Sequence, residues 1–212
     1  MSGRANRAPR NVIFDLGGVL IDWNPRYLFR DLFVGDEAAM EAFLAGVCSP
    51  AWNERQDAAR TIAEAEAELV GRFPEQERLI RAYYAGFDRM LGGAIVGTVA
   101  VLEDLAAAGV PLYALTNWSA ETFPHALRRF PFLGSFRDIV VSGRIGLIKP
   151  DRRIFDHLLA KTGIDAAASV FIDDSPKNVA GAAAAGLSAI QFRSPEELRS
   201  MLAGLGLPVA AV

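Results

Sequence analysis

The chain of 212 residues is 51% hydrophobic, enough to bury a core, and its formal net charge of −3 leaves no basic surplus for a nucleic-acid backbone. Its single cysteine, Cys48, excludes an internal disulfide, and no apolar segment reaches the roughly 20 residues that a membrane-spanning helix needs. We therefore expect a cytoplasmic protein with a small-molecule ligand, no nucleic-acid or membrane partner, and a monomeric or homodimeric state.

The predicted elements follow a basic N-terminal tail, MSGRANRAPR. Short runs rich in β-branched and aromatic residues indicate five strands, at 11–15, 111–116, 138–142, 169–173 and 189–192. Longer helical patterns alternate with the last four strands, at 95–109, 120–130, 151–163, 176–186 and 195–206. This alternation predicts an α/β fold with a Rossmann-like, doubly wound parallel sheet.

The segment between the first strand and the helix near Ala94 has a different hydrophobic pattern. It shows helical periodicity at 25–33, 37–47, 61–73 and 75–87, and no convincing strand. We expect residues 23–93 to form a small helical cap, and residues 1–22 and 94–212 to form the catalytic core. Ligands of an open parallel sheet bind outside the carboxyl ends of its strands, so this insertion would cover the site as a lid.

Polar side chains collect at the carboxyl ends of the predicted strands. In chain order they are Asp15, Thr116, Asn117, Lys149, Asp173 and Asp174. Each unpaired buried charge is costly, so this grouping makes little sense as a folding device. Carboxylates suit Mg²⁺, whereas hydroxyl, amide, ammonium and helix-terminal N–H groups bind phosphate oxygens. The pattern therefore points to hydrolysis of a phosphate ester, with Asp15 as a covalent nucleophile that forms an aspartyl-phosphate.

The four sequence segments that carry these polar residues resemble the motifs of the haloacid dehalogenase-like (HAD) hydrolase superfamily. The resemblance extends over nearly the whole chain. FDLGGVLID resembles the first motif, ALTNWS the second, IKPD the third and FIDDSPKNVAGAAAAG the fourth. The resemblance implies a Rossmann-like core, Mg²⁺, and phosphate-ester hydrolysis for most members. The insertion resembles the helical cap of the first subclass of the family.

The resemblance also assigns roles to individual residues. It makes Asp15 the nucleophile, assisted by Lys149 as the second catalytic residue. The implied phosphate-binding set is Thr116, Asn117, Lys149 and Gly18. The implied metal ligands are Asp15, the Gly17 carbonyl and Asp174. Asp173 would lie next to them in the outer shell of the metal, and Asn178 would support the site from outside the ligand set.

Gly17 departs from the pattern of most phosphatases in this family, which carry Asp two residues after the nucleophile as general acid and base. One branch of the family has Gly at this position and, in the fourth motif, DD followed four residues later by Asn. The segments DLGGVLID and FIDDSPKN match that branch, which resembles bacterial sugar phosphatases that act on glucose 1-phosphate. The proton donor to the leaving group is therefore open. Asp22 is one candidate, and bracing of the loop into the insertion is its alternative role.

Residues in or beside the insertion are candidates for contact with the substrate. They are Asp22, Trp23, Asn24, Arg26, Trp52, Asn53 and Arg55. Aromatic and hydrogen-bonding groups grip sugars well, but core packing and solvated helix faces explain these residues equally.

Two other functions fit parts of the pattern. A 2-haloacid dehalogenase would use Asp15 as its nucleophile without a metal, but that branch typically has an aromatic residue at the place of Gly17 and lacks the acidic metal ligands. A regulator that binds a phosphorylated ligand would keep the fold and lose turnover together with the acid at position 17. Phosphomutase activity normally needs that acid.

Overall fold

The computed structural model of the chain describes residues 9–210. Residues 1–8 of the predicted N-terminal tail lie outside this range, as do residues 211–212. The strands within it are β1 (Asn11–Phe14), β2 (Ile21–Trp23), β3 (Leu91–Ala94), β4 (Leu112–Thr116), β5 (Asp138–Val141), β6 (Ser169–Asp173) and β7 (Ser188–Gln191).

Five of these strands form one parallel sheet in the order β5-β4-β1-β6-β7. They are the five predicted strands, each within one residue of its predicted bounds. The strand order places β1 in the centre, flanked by β4 and β6. The carboxyl ends of these three strands, and the residues that follow them, therefore meet at one edge of the sheet.

Helices connect the strands. Six lie between β2 and β3: α1 (Arg26–Phe33), α2 (Glu37–Gly46), α3 (Pro50–Asp57), α4 (Ile62–Arg72), α5 (Glu77–Ala85) and α6 (Phe87–Met90). The others are α7 (Val96–Ala107), α8 (Phe123–Arg129), α9 (Arg152–Thr162), α10 (Pro176–Ala184) and α11 (Pro195–Gly204). Within residues 9–210, no helix is both long enough and apolar enough to cross a bilayer.

Both faces of the sheet are covered. Successive residues of β1 point to opposite faces, so Val12 and Phe14 belong to a hydrophobic cluster with residues of α7 and α11. Ile13 belongs to a second cluster with residues of α9 and α10. Burial on both faces explains why the strands are continuous apolar runs. The predicted α/β, Rossmann-like, doubly wound fold is therefore confirmed.

The expectation of no strand between the first strand and the helix near Ala94 is wrong. β2 and β3 form an antiparallel pair at the two ends of the helical segment. The sequence LGGA of β3 has little strand propensity, and its partner lies far away along the chain, so no local signal was present. A side chain at Gly92 would lie 2.4 Å from Asp22 Oδ2. The division into a core and a cap at 23–93 stays a prediction.

Helix α3 was also not predicted, although its start carries a clear signal. The Ser49 side chain accepts a hydrogen bond from the Trp52 backbone N–H, and Pro50 occupies the first turn. Buried Gln56 anchors the helix to α5, because its Nε2 donates to Tyr84 Oη at 3.0 Å. The same Nε2 also donates to Trp52 O within α3 at 2.7 Å. These contacts fix the position of the last residue of α3, Asp57.

Candidate active site

Asp15 lies directly after β1, at the centre of the carboxyl edge of the sheet. Its backbone N–H donates to Ile172 O of β6 at 2.8 Å, and its Oδ1 accepts from the Leu16 N–H at 2.7 Å. The residue is 8% exposed. Backbone pairing and a local hydrogen bond therefore hold one carboxylate at a fixed place.

Lys149 is buried beside this carboxylate and 1% exposed. Its Nζ lies 2.8 Å from Asp15 Oδ1, 2.7 Å from Asp173 Oδ2 and 3.0 Å from Leu115 O. An ammonium has three N–H donors, so these contacts use all of them. Lys149 therefore joins the ends of β1, β4 and β6.

Asn117, the residue after β4, holds the backbone of Lys149. Asn117 Oδ1 accepts from the Lys149 N–H at 2.8 Å, and Asn117 Nδ2 donates to Lys149 O at 3.0 Å. Thr116, the last residue of β4, is 1% exposed. The two residues expected to contact phosphate thus lie at the same edge as Asp15, and Asn117 also holds the backbone of Lys149.

Three carboxyl groups form an acidic cluster that could hold a metal ion. Asp15, Asp173 and Asp174 each offer one oxygen, and these oxygens lie within 4.8 Å of one another. Asp174 is exposed toward solvent. The sequence therefore correctly grouped these three acids, which lie far apart along the chain.

Asp173 has a different environment from its neighbour. It is fully buried, its Oδ1 accepts from the Ser175 N–H at 2.9 Å, and Asn178 Nδ2 contacts both oxygens at 3.0 and 3.1 Å. Together with Lys149, these donors occupy both oxygens. The geometry suits the predicted outer-shell position for Asp173, and it gives Asn178 a defined partner.

Electrostatics at this edge favour an added cation. Burial raises the pKa of Asp15 to about 7, Lys149 opposes this shift, and Asp173 adds to it. Burial and the Asp173 charge also raise the pKa of Asp174. Burial works to lower the pKa of Lys149, but Asp15 and Asp173 outweigh it, and the pKa is raised. One ammonium thus faces three acids, and a divalent cation would relieve the repulsion.

Gly18 has a conformational role that differs from the predicted phosphate contact. Its φ is +75°, and a Cβ there would lie 2.6 Å from Asp174 Oδ2. Its N–H is already donated to Ile21 O at 2.9 Å. Gly18 therefore makes room for Asp174, and its N–H is committed within its own turn.

Gly17, two residues after Asp15, borders a cavity of about 100 Å³. A Cβ built at Gly17 meets no atom within 4 Å. The cavity is lined by Gly17, Trp23, Asn53, Asp57, Phe87, Asn117, Trp118, Ser119 and Thr122. A second cavity, of about 750 Å³, shares Trp23, Asn53, Asp57 and Asn117 with it and extends between the helices α1 to α3.

Asp57 is an acid of this site that the sequence patterns did not identify. Its Oδ2 accepts from Asn53 Nδ2 of the same helix at 3.4 Å, and Ser119 of the loop after β4 lines the same cavity. Burial raises the pKa of Asp57 to about 7, and the Ser119 backbone opposes the shift. The Ser49–Pro50 start of α3 was the signal that could have placed Asp57 at a helix end.

The candidate substrate contacts separate into two groups. Trp23 and Asn53 line both cavities, and Arg26 lines the larger one, where Glu41 pairs with it. The others line neither cavity. Trp52 is buried and donates to Ala65 O at 3.3 Å. Burial in the helical core explains Trp52 better than substrate contact does.

Three further candidates hold the local structure together. Asp22 Oδ2 accepts from Tyr27 Oη at 2.6 Å, Asn24 Oδ1 accepts from the Arg26 N–H at 3.0 Å, and Arg55 pairs with Glu68 at 3.1 Å. Each of the three side chains thus has a partner within its own segment or a neighbouring helix. The structure thus supports the bracing role for Asp22 over the role of proton donor.

Comparison with known proteins finds two related phosphatases. A sesquiterpene phosphatase of Aspergillus oryzae is 28% identical over 179 residues, which span 82% of this chain and 85% of that protein. A phosphoglycolate phosphatase of Rhodospirillum rubrum is 30% identical over 200 residues, which span 86% of this chain and 78% of that protein. Both relatives are thus matched over most of their length.

A solved structure shares the fold. It is a HAD family enzyme from Bacteroides thetaiotaomicron in complex with magnesium and inorganic phosphate, with a TM-score of 0.69, 22% identity, and coverage of 91% of this chain and 98% of that chain. The sequence model of the haloacid dehalogenase-like hydrolase family matches residues 9–186, which include every strand end of the site. The chain therefore belongs to the haloacid dehalogenase-like hydrolases.

Proposed function

We propose that this hydrolase is a Mg²⁺-dependent phosphatase that cleaves the phosphate monoester of a small metabolite through an aspartyl-phosphate on Asp15. The observation that carries the proposal is the contact of one ammonium, Lys149, with the carboxylates of Asp15 and Asp173 at the edge that also holds Asp174. The two phosphatase relatives and the magnesium and phosphate bound to the related structure support it.

The residues present fit a magnesium ion. Asp15 and Asp174 supply carboxylate oxygens in one cluster, and the Gly17 carbonyl is the third ligand proposed. The ion would shield the nucleophile from an anionic substrate and neutralise charge on the phosphoryl group. Asp173, held by Lys149 and Asn178, keeps the cluster in place.

The chain's own groups divide the remaining work. One oxygen of Asp15 attacks phosphorus while the bond from phosphorus to the alcohol oxygen breaks. Lys149 holds Asp15 Oδ1 at 2.8 Å and adds positive charge beside the phosphoryl group. Thr116 and Asn117 are the proposed phosphate contacts. Water then attacks the aspartyl-phosphate, which yields inorganic phosphate and restores the Asp15 carboxylate.

The leaving group would occupy the smaller cavity. We propose residues 23–93 as a cap over the site, because Trp23, Asn53 and Asp57 of that segment share this cavity with Gly17 and Asn117. Among the residues described, its lining holds three aromatic rings and no cationic side chain. A neutral leaving alcohol with an apolar or ring face, such as a sugar, fits this lining better than one with a second anionic group.

The alternatives make different predictions. A dehalogenase would release halide from chloroacetate in the presence of EDTA. A regulator would bind inorganic phosphate and show no turnover. The acidic cluster and the Lys149 contacts favour hydrolysis, because a metal-free dehalogenase needs no further acids beside its nucleophile.

The test is hydrolysis of a panel of phosphate monoesters, p-nitrophenyl phosphate first, by the wild-type protein and by Asp15→Asn. We expect Mg²⁺-dependent release of phosphate that EDTA abolishes and Asp15→Asn lowers at least a thousandfold. No hydrolysis of any ester, with Asp15→Asn and wild-type protein behaving alike, would refute the proposal.

A further inference from the structure

The proposed reaction needs a proton at a particular atom. An alcohol oxygen that leaves phosphorus is strongly basic unless a positioned acid protonates it. Gly17 offers no acid. The three donors of Lys149 are taken by Asp15, Asp173 and Leu115 O, and its side chain is 1% exposed. The leaving oxygen therefore needs a proton donor other than position 17 and Lys149.

Asp57 lies where such a group is needed. It shares the smaller cavity with Gly17 and Asn117, and a Cβ at Gly17 would project into open space. The cavity therefore has room for a leaving group beside Gly17 and a carboxyl group in its wall. Asp22, the other acid considered near the nucleophile, does not line the cavity and is bound to Tyr27.

The position of Asp57 is set on its own helix and faces the β4 loop. Its Oδ2 accepts from Asn53 Nδ2 at 3.4 Å, and the preceding residue Gln56 is fully buried and bonded to Tyr84 Oη at 3.0 Å. Ser119, three residues after Thr116, lines the same cavity from the β4 side. A carboxyl group placed between the β4 loop and the inserted helices is preorganised in the way that proton transfer requires.

We propose that Asp57 is the general acid of this enzyme, supplying from the inserted helical segment the proton that position 17 cannot supply. The inference rests on the proposed phosphatase function. As Asp15 binds phosphorus, the proton of Asp57 moves to the leaving oxygen and a neutral alcohol departs. In the second step, water attacks phosphorus and returns a proton to the Asp57 carboxylate, so the cycle balances.

The charge environment of Asp57 agrees with this role. Burial raises its pKa to about 7, against the opposing effect of the Ser119 backbone. The charged groups that act on it are Glu54 and Asp15, which raise the pKa, and Lys149, which lowers it. A carboxyl group with a pKa near the working pH is protonated in a large fraction of molecules and still transfers its proton readily.

The test compares two esters of similar size in the first turnover. p-Nitrophenyl phosphate releases a stable phenolate that needs no acid, whereas benzyl phosphate releases a strongly basic alkoxide. For Asp57→Asn with Mg²⁺, we expect first-turnover release of benzyl alcohol to fall about 100- to 1000-fold. Release of p-nitrophenol should change less than about threefold. Asn has nearly the same size and shape as Asp, so we expect the fold to be preserved.

Two further variants complete the design. Asp31→Asn is the matched control, because Asp31 is exposed on α1 and paired with Arg89 outside both cavities. It should behave as wild type with both esters. Adding Gly17→Asp to Asp57→Asn should restore benzyl alcohol release at least tenfold, since the space at Gly17 is open.

The outcomes separate this inference from the proposed function. A selective loss with benzyl phosphate supports Asp57 as the acid. Equal losses with both esters, or no loss with benzyl phosphate, overturn that role while the phosphatase function stands. Failure of the wild-type protein to release either product overturns the proposed function, and the inference with it.

Discussion

Lys149 Nζ lies 2.8 Å from Asp15 Oδ1 and 2.7 Å from Asp173 Oδ2, so one buried ammonium stands between two carboxylates. This contact ties together the ends of β1 and β6. Removal of the ammonium would leave the two carboxylates in a buried site without their counter-charge.

Lys149→Met therefore tests the ion pair directly. We expect the metal-free protein to lose about 3 kcal/mol of unfolding free energy in urea denaturation. Lys161→Met is the control, because Lys161 is 44% exposed and pairs with Asp138 at 2.8 Å. It should lose less than about 1 kcal/mol. Equal small losses in the two variants would mean that the buried contact adds nothing.

Gly18→Ala tests the fit between the glycine turn and Asp174. The variant combines backbone strain at φ +75° with a side chain 2.6 Å from Asp174 Oδ2. Gly109→Ala has the same φ and no atom within 4 Å. Both should lose about 1 kcal/mol of stability, but only Gly18→Ala should weaken Mg²⁺ binding in calorimetry, by about tenfold. Wild-type affinity in Gly18→Ala would contradict the proposed role of Asp174 as ligand.

Mg²⁺ should stabilise the folded protein, because the proposed site is the native acidic cluster, where the ion would relieve the repulsion among Asp15, Asp173 and Asp174. At a concentration 100-fold above Kd, the gain is about 2.7 kcal/mol. Thermal unfolding with increasing Mg²⁺ measures it. Asp174→Asn should remove most of the gain while the metal-free variant unfolds at or above the wild-type temperature. A gain unchanged by Asp174→Asn would place the metal elsewhere.

Asp57 should make stability depend on pH. Its pKa is about 7 in the folded protein and near 3.9 in an unfolded chain. Between these values the folded state binds more protons, so the free energy of unfolding falls as pH rises from about 4 to about 7. Asp57→Asn lacks this contribution. Relative to wild type, its stability should therefore increase across that range. Urea denaturation at several pH values measures this, and parallel curves for the two proteins would contradict the raised pKa of Asp57.

The sequence predicts the strand ends of this site well. Asp15 and Asp173 follow or end short apolar strands, and the parallel order of those strands brings them to one edge. Lys149 follows β5 after a loop, and the contacts of Asn117 with its backbone hold it at the same edge. Their types then suggest the chemistry. The α/β fold follows from the same alternation of strands and helices.

Asp57 could not be predicted in the same way. Its helix, PAWNERQD, is short and largely polar, so it looks like a solvated surface segment. Its position depends on the loop after β4, where Ser119 lines the same cavity, and on the anchoring of Gln56 to Tyr84. Each involves segments that lie far apart along the chain. Likewise, β3 pairs with β2 because Gly92 lets the β3 backbone approach Asp22. The strand propensities of the residues in β3 do not predict this pairing.

The central claim is that Asp15 carries the phosphoryl group during turnover. The most direct measurement is mass spectrometry of the peptide containing Asp15 after acid quenching of Mg²⁺-loaded protein with p-nitrophenyl phosphate. We predict one phosphate per chain on Asp15, removable by hydroxylamine and absent in Asp15→Asn. Continued hydrolysis at the wild-type rate in Asp15→Asn, or turnover with no phosphate on that peptide under any quenching time, would contradict it.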